Sequence, residues 1–489
     1  MQKQKRKEVV RKGNLELPNT KLCEKLLSTE NIMKAVKKVE KNRGSAGIDG
    51  MTVKELRPYV MENINEIRRR ILARKYNPKA VRRVEIPKDN GKVRLLGIPT
   101  VLDRMIQQAI VQVITPLFEP TFSDFSYGYR PGKSAEDAVR QAQIYMAEGY
   151  KFVVDMDLSK FFDTVNHDKL MGYIDETLED KDIRRLIFVF IKAGVMVDGV
   201  KVETTKGTPQ GGVISPLLSN IYLTPFDKEM EKRGIKFIRY ADDIQLFAKS
   251  KMSSYRLKDH TIDFLERKMK LTVNREKTEA RKAEGSKILG FVFLTTGKKQ
   301  QDGSLKLGYL IPRDKSVEKL KMRVREITKR NRGVSISLVI GQLNSLLRGW
   351  LNYYARSNMK VKIRSLVGWI KRRLRQYIYK QWKTSKNRKH QLRLLGTDEW
   401  KLKKMHLSTN RYWKMSIIMG RFLTDKVLIE RFGLVDSQKL YEVKHEEKRD
   451  KDIEIFMSKD YEKQMVEKEE GSLLLEEDYN YFNFERFIG

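Results

Sequence analysis

Three aspartates occupy positions where their carboxylates could act together. Asp242 and Asp243 are adjacent within RYADDIQLFAKS, residues 239–250, and Asp157 follows the strand-like residues KFVVDM. Aspartate is a poor strand residue and a common turn residue, so the pair could simply form the bend of a β-hairpin. An antiparallel sheet could equally bring Asp157 next to the pair. The pair alone does not distinguish a plain turn from a reactive site.

Three converging carboxylates in a strongly basic protein imply that cations lie among them. Like charges at such short range repel, and Mg²⁺ prefers one or two carboxylates together with phosphate oxygens. Two such ions about 4 Å apart can stabilise the attacking and the leaving oxygen of an in-line phosphoryl displacement. One ion would lower the pKa of an attacking hydroxyl, and the other would stabilise departing pyrophosphate. Polymerases and many nucleases use this chemistry.

The elements around these aspartates are predicted from periodicity. Alternation along KFVVDMD puts Asp155 on the same strand face as Asp157, which makes it the nearest rival carboxylate. Residues 237–248 read as two short strands around the Asp pair, and residues 206–234 as a Gly/Pro-rich loop that runs into a helix. The turn signal DNG at residues 89–91 predicts another hairpin.

Composition indicates a folded, intracellular protein that handles nucleic acid. The 489 residues carry a formal net charge of +37 with 40% hydrophobic residues, and such a positive excess points to a polyanionic partner. The single cysteine, Cys23, excludes a disulfide framework and a paired-cysteine zinc site. Five scattered histidines argue against a His-rich metal or nuclease module. No apolar stretch is long enough to span a bilayer and no secretory signal is visible, so no membrane partner is expected.

From about residue 312 the chain is predicted to be all-helical and intensely basic. Residues 337–354 and 363–383 each carry an apolar stripe at helical spacing, and the stripes predict a core. Trp350 lies on the first stripe and fits the core better than an RNA contact. Beyond Val435 the charge reverses, because residues 436–489 hold 9 Lys and Arg against 16 Asp and Glu.

Taken together, the motifs resemble those of reverse transcriptases encoded by group II introns. RYADD resembles the catalytic hairpin of reverse transcriptases, and DLSKFFDTVNH, residues 157–167, resembles their first palm motif. GTPQGGVISPLLSNIYL, residues 207–223, is similar to the segment between these motifs in the group II intron enzymes. The resemblance extends over residues 22–435, about 85% of the chain. It is greatest to compact bacterial intron-encoded proteins that lack an HNH endonuclease.

The resemblance implies an α+β right-hand polymerase. Fingers and a palm with an antiparallel sheet would be followed by an all-α thumb, or maturase, domain. The implied segments are a basic N-terminal arm (1–21), an N-terminal extension with fingers (22–150), a palm (151–311), a thumb/maturase domain (312–395), a basic DNA-binding segment (396–435) and an acidic C-terminal tail (436–489). The tail departs from the family pattern, and a solvating tail, an intramolecular nucleic-acid mimic and a docking peptide all stay open for it.

Carried over residue by residue, the resemblance implies catalytic and metal-binding roles for Asp157, Asp242 and Asp243. They would hold two Mg²⁺ ions, for which Mn²⁺ can substitute, and Asp157 is preferred to Asp155 because it occupies the motif position. The implied nucleotide contacts are Lys88, Arg94, Phe161, Gln210 and Lys277, with Phe162 as an alternative to Phe161 in excluding a 2′-hydroxyl. The implied primer and template contacts are Tyr240, Leu289 and Gly290. The implied RNA contacts are Arg348, Tyr353, Arg372, Arg373 and Arg375.

The implied activity is RNA-templated DNA synthesis, coupled to binding of the parent intron RNA to assist splicing and retrohoming. The partners would be group II intron RNA, an RNA template, a DNA primer or target, and dNTPs, with monomer or homodimer left open. The expected location is the bacterial cytoplasm, in association with nucleic acid. A domesticated enzyme of the same fold in phage defence or DNA repair is one alternative. A non-catalytic RNA-binding splicing factor is another, and the complete aspartate set argues against it.

Overall fold

The computed structural model describes residues 21–87, 93–159, 161–197, 200–202, 207, 211–299, 301, 305–404, 407 and 411–451. The chain forms two compact units, the first within residues 1–145 and 150–282, the second within 146–149 and 283–489. The units divide after Lys282, inside the segment predicted as the palm. The finer boundaries between fingers, palm, thumb and basic segment stay predictions.

A four-stranded antiparallel sheet positions the aspartates in the first unit. Its order is β6 (Lys236–Tyr240), β7 (Asp243–Ala248), β3 (Phe152–Met156) and β8 (Glu279–Lys282). Met156 pairs with Ile244, and Tyr240 pairs with Asp243. The carboxyl end of β3 therefore lies at the same sheet edge as the turn between β6 and β7.

A second sheet in this unit has the order β2, β1, β4, β5. Its strands are β1 (Val81–Pro87), β2 (Val93–Ile98), β4 (Val195–Val197) and β5 (Val200–Val202). β1 and β2 pair antiparallel with Pro87 opposite Val93, which confirms the hairpin predicted around DNG. The turn residues 88–92 themselves lie outside the described part of the chain.

Helices cover the palm-like sheet and form the main hydrophobic core. In chain order the α-helices described between residues 21 and 263 are α1 (Lys21–Leu27), α2 (Thr29–Asn42), α3 (Val53–Leu72), α4 (Val101–Phe118), α5 (Ala135–Ala147), α6 (Phe161–Thr164), α7 (His167–Asp175), α8 (Lys181–Ile191), α9 (Ser215–Lys232) and α10 (Lys251–Asp263). Val154, Met156 and Leu158 belong to this core. Because strand side chains alternate, Asp155 and Asp157 occupy the opposite face.

The second unit begins with short strands and continues with helices. β13 (Leu310–Pro312), β10 (Phe291–Phe293) and β9 (Lys287–Ile288) form one sheet, and β11 (Lys298–Lys299) pairs with β12 (Leu305–Lys306). The helices are α11 (Asp314–Ile327), α12 (Ile336–Tyr354), α13 (Lys360–Gln381), α14 (Ser385–Leu394), α15 (Glu399–Lys403), α16 (Tyr412–Ile418) and α17 (Asp425–Glu430). Both predicted apolar stripes are buried, except that Trp350 is only partly so.

Residues 437–451, the first part of the predicted acidic tail, form a helix that packs within the second unit. The Tyr441 hydroxyl donates to the Ser357 carbonyl at 2.9 Å, and the His445 ring stacks on Tyr441 with centroids 5.3 Å apart. This part of the tail is thus a packed element, and residues 452–489 lie outside the described part. Among the described residues, no helix has both the length and the apolar character needed to cross a bilayer.

Candidate active site

The Asp pair begins at a tight turn. Since Tyr240 pairs with Asp243, Ala241 and Asp242 make the connection between β6 and β7. Ala241 has a φ of +59°, a left-handed conformation that is uncommon for residues other than Gly, Asn and Asp. The prediction that the pair forms a hairpin bend is confirmed.

Asp157 lies at the same edge of the sheet as this turn. It follows the last residue of β3, and because Met156 pairs with Ile244, Asp157 and Asp243 come next to each other in the strand register. Partial desolvation and the negative charges of Asp242, Asp155 and Asp157 raise the pKa of Asp243 to about 6. Asp243 keeps an exposed surface, so the repulsion between carboxylates acts alongside a desolvation that is incomplete. A bound cation would relieve that repulsion.

Asp155 and Asp157 have different partners. The Asp155 carboxylate accepts hydrogen bonds from Gln245 at 3.2 Å and from Arg281 at 2.6 Å. Asp157 instead pairs with Lys277, whose Nζ lies 3.0 Å from Oδ2 and whose side chain is 66% exposed. An exposed ion pair contributes little to stability, so an incoming cation can displace it. This difference favours Asp157 over Asp155 as a metal ligand.

The donor set fits a metal that takes part of its shell from substrate. Among the described residues, no group of three or more His, Cys, Asp or Glu side chains forms a ready metal site, so a cation at these carboxylates would bind the free protein weakly and gain further ligands from substrate. Mg²⁺ is commonly bound by one or two carboxylates plus substrate phosphates, and carboxylates are the donors present here. The assignment of Asp157, Asp242 and Asp243 as metal ligands stays a prediction.

The two phenylalanines after Asp157 have different environments. Phe161 is 2% exposed, and its ring packs edge-to-face against Phe162 and Tyr222, with centroids 5.3 and 6.2 Å away. Phe162 is only half-buried. A residue that excludes a 2′-hydroxyl must present an accessible surface to the ribose. This difference in burial therefore favours the alternative, Phe162.

Of the predicted nucleotide contacts Lys88, Arg94 and Gln210, only the backbone of Arg94 lies in the described part of the chain. Lys88 and Gln210 lie outside the described residues. Arg94 is on β2 opposite Ile86, but its side chain is outside the described part as well.

Two glycines in the segment before α9 lie very close to the backbone of other elements. Gly211 has a φ of +109°, and a Cβ there would lie 2.5 Å from the Gly97 carbonyl oxygen. Gly207 has a φ of +88°, and a Cβ there would lie 2.7 Å from the Phe162 carbonyl oxygen. Only glycine fits at such positions, so Gly211 lies directly against β2 and Gly207 directly against α6.

The predicted primer and template residues lie in different units. In the first unit, the half-buried Tyr240 ring lies 6.3 Å from that of Tyr129, which is 59% exposed. In the second unit, Leu289 and Gly290 both have positive φ, and the Tyr353 hydroxyl donates to the Leu289 carbonyl at 2.8 Å. Tyr353, predicted to contact RNA, therefore supports the loop predicted to contact the primer.

Three of the four predicted RNA-binding arginines have partners within the protein. Arg372 lies 3.8 Å from the ring centroid of Trp413, and Arg373 donates to Thr328 at 2.8 Å. Arg375 donates to Asp425 and to the Leu423 carbonyl, both at 2.7 Å. Arg348 is the exposed member of the set. Their contacts with RNA stay predictions.

Sequence inspection missed Arg239, which stands within RYADD. Arg239 and Asp227 form an ion pair in which both side chains are 0% exposed. The Arg239 guanidinium also donates to the Ala241 carbonyl at 3.1 Å. An arginine among apolar strand residues was the available signal, because a fully buried arginine needs a paired charge.

Two protein-family profiles match the chain. The profile for reverse transcriptase (RNA-dependent DNA polymerase) matches residues 86–293, and that for the group II intron maturase-specific domain matches residues 317–396. All three aspartates lie within the first match. The matches confirm the predicted fold class, an α+β polymerase domain followed by a helical maturase domain.

Curated relatives include Protein YkfC of Escherichia coli (strain K12), which is 31% identical over 56% of this chain and 82% of its own. The group II intron-encoded protein LtrA of Lactococcus lactis subsp. cremoris is 34% identical over 46% of this chain and 38% of its own. A putative COX1/OXI3 intron 2 protein of Saccharomyces cerevisiae is 29% identical over 44% of this chain and 25% of its own. The chain thus matches most of YkfC, but less than half the length of the two intron proteins.

Proposed function

Because the chain belongs to the group II intron-encoded reverse transcriptase/maturase family, we propose that it copies RNA into DNA by two-metal-ion nucleotidyl transfer at the β6–β7 turn. The observation that carries this proposal is the register of β3 and β7. It brings Asp157 beside Asp243 at the sheet edge where the turn holds Asp242. Divalent ions bound there would activate the primer 3′-hydroxyl and stabilise the leaving pyrophosphate.

Lys277 has a place in this mechanism because its partner is a proposed metal ligand. Its ammonium lies 3.0 Å from Asp157. If Asp157 held a cation, Lys277 would lose that partner, and its ammonium could then pair with the triphosphate, where charge-assisted bonds to phosphate are strong. We assign it the role of neutralising, or protonating, the departing pyrophosphate.

Phe162 is the residue we assign to sugar discrimination. It is half-buried and packs against the fully buried Phe161, which fixes the orientation of its ring. A rigid apolar ring beside the sugar would leave no hydrogen-bond partner for a 2′-hydroxyl and no room for it.

Binding of single-stranded nucleic acid is supported by a basic, aromatic groove in the second unit. The groove has a volume of about 620 Å³ and is lined by Leu395, Gly396, Thr397, Trp400, Lys401, Lys404, Ile418, Arg421 and Phe422. Trp400 is 60% exposed, none of the described lining residues is acidic, and Lys401 pairs with the neighbouring Asp398 at 2.6 Å. Bases stack on exposed aromatic rings while lysine and arginine pair with phosphates. We propose that this groove and Arg348 contact the template, the target strand or the intron RNA.

The biological role we propose is that of an intron-encoded enzyme of the bacterial cytoplasm that binds its parent RNA, assists its splicing and copies it during retrohoming. The maturase-specific match over residues 317–396 supports the RNA partner. Domesticated use of the same enzyme in defence or repair predicts a reading frame without flanking intron RNA. Sequencing of the flanking DNA therefore separates the two roles.

The activity is tested by primer extension on an RNA template with Mg²⁺ and dNTPs. The wild type should extend the primer and Asp242→Ala should not, while Asp259→Ala, an exposed aspartate of α10, should behave as the wild type. Absence of extension by the wild type across Mg²⁺, Mn²⁺ and a range of salt concentrations would overturn the proposal.

A further inference from the structure

We propose that Arg239 is a positioning residue that fixes the Ala241–Asp242 turn, and through it the carboxylates of the proposed active site. The inference rests on the proposed function. Arg239 is the residue two positions before the turn, and its guanidinium reaches forward to the turn's own backbone. The proposed nucleotidyl transfer gives Arg239 no other role.

The first observation is a buried ion pair. Arg239 Nε lies 2.8 Å from Asp227 Oδ1 on α9, and both side chains are 0% exposed. Removing two charges from water is costly, and a buried pair can often be replaced by apolar side chains without loss of stability. Stability alone is therefore a weak reason for a charged pair at this position.

The second observation is what the remaining guanidinium nitrogens bind. Arg239 Nη1 donates to the Ala241 carbonyl at 3.1 Å and to Asn220 Oδ1 at 2.9 Å. Asn220 Nδ2 in turn donates to the Gly128 carbonyl at 2.9 Å. The guanidinium thus connects helix α9, the β6–β7 turn and the segment around Gly128.

The third observation is that the turn is enclosed on its other side. The Arg239 amide donates to the Phe125 carbonyl at 2.9 Å, and the Tyr127 amide donates to the Arg239 carbonyl at 2.8 Å. A Cβ on Gly128 would lie 2.3 Å from the Ala241 nitrogen. Ala241 has a φ of +59°, and a residue in that conformation persists only where its surroundings enforce it.

These contacts act through geometry rather than charge. Asp227 neutralises Arg239, so the pair adds no net charge beside the carboxylates. The ion pair affects the carboxylates by holding the carbonyl of Ala241, one residue before Asp242. Catalytic groups must be held to within a fraction of an ångström, and a misplacement of about 1 Å can reduce the rate about a hundredfold.

The decisive variant is Arg239→Met combined with Asp227→Leu. This apolar pair fills the buried site, leaves no unpaired charge and removes the hydrogen bond to Ala241. We expect a Tm within a few degrees of the wild type, a kcat in primer extension lower by about tenfold or more, and a KM for dNTP within about threefold. The Mg²⁺ concentration for half-maximal rate should rise. Wild-type kcat and Mg²⁺ dependence in the folded double variant would overturn the proposal.

A second pair of variants keeps the test decisive if the double variant does not fold. Gly128→Ala places a Cβ against the Ala241 backbone, whereas Gly172→Ala on α7 meets nothing within 4 Å. Gly128→Ala should lower kcat and weaken Mn²⁺ binding to the free protein, measured by electron paramagnetic resonance, and Gly172→Ala should change neither. If Gly128→Ala leaves both unchanged, a shift of the Ala241–Asp242 turn does not reach the carboxylates, and the positioning role of Arg239 is overturned.

The Mn²⁺ measurement also separates this inference from the proposed function. Inactive wild-type protein whose Mn²⁺ binding is weakened by Gly128→Ala would refute polymerase activity while supporting the positioning role. Ile187→Ala, which empties a buried site of α8, controls for stability because it should lower Tm without raising the Mg²⁺ requirement.

Discussion

Lowering the pH from 7 to 5 is expected to weaken Mn²⁺ binding to the free protein by about tenfold. Desolvation and the carboxylates of Asp242, Asp155 and Asp157 raise the pKa of Asp243 to about 6, from an ordinary value of 3.8. A group with a pKa of about 6 is about nine-tenths charged at pH 7 and about one-tenth charged at pH 5. Because protonation competes with the cation, affinity is full above the raised pKa and falls below it. At an ordinary pKa, affinity would hardly change over this interval.

Asp242→Asn tests the cause of that pH dependence. The variant removes the charge of Asp242, the first of the three carboxylates that raise the pKa of Asp243. The midpoint of Mn²⁺ affinity plotted against pH should therefore move to lower pH, whether or not the affinity at neutral pH changes. Binding is measured by electron paramagnetic resonance of free Mn²⁺ at constant ionic strength, with Asp259→Asn as the control. A wild-type affinity that is constant between pH 7 and 5 would refute the raised pKa. An unchanged midpoint in Asp242→Asn would refute repulsion by Asp242 as its cause.

Three further outcomes follow from individual contacts. Phe162→Ala should raise ribonucleotide incorporation by about tenfold or more, because a single apolar contact can provide discrimination of that size. Phe161→Ala should instead lower the free energy of unfolding by about 3–5 kcal/mol. Equal ribonucleotide use by the two variants in primer extension would contradict the assignment. Tyr353→Phe removes the donor to the Leu289 carbonyl and should cost about 1 kcal/mol in urea unfolding, and no loss would show that this bond is not stabilising. Trp400→Ala should weaken binding of single-stranded DNA by about 1–3 kcal/mol in fluorescence anisotropy while Trp400→Phe retains most of it, and unchanged binding by Trp400→Ala would remove the groove from the interface.

Much of the local structure could be predicted from the sequence because it depends on neighbours in the chain. Turn formation at Ala241–Asp242, the hairpin around DNG and the apolar stripes of α12 and α13 all follow from residue type and spacing.

Long-range partners could not be predicted in this way. Arg372, Arg373 and Arg375 form a dense basic run, which is typical of a solvated RNA-binding face. In the structure, Arg375 pairs with Asp425, fifty positions later, and Arg372 stacks on Trp413. Long-range partners were equally unpredictable at the start of the acidic tail. Its charge suggested a solvated segment, but Tyr441 and His445 bind backbone carbonyls of the second unit.

The sequence by itself determined the type of chemistry. Residue identity and order are enough to show carboxylates at a strand end and at a turn, together with the motifs that flank them. The tertiary structure alone decided how that chemistry is held. It paired Asp155 with Arg281 and Asp157 with the exposed Lys277, it buried Phe161 and left Phe162 half-buried, and it placed Arg239 against Asp227 and the turn. The physical reason is that burial and charge pairing are properties of surroundings assembled from distant parts of the chain. Residue type limits these surroundings but does not choose among them.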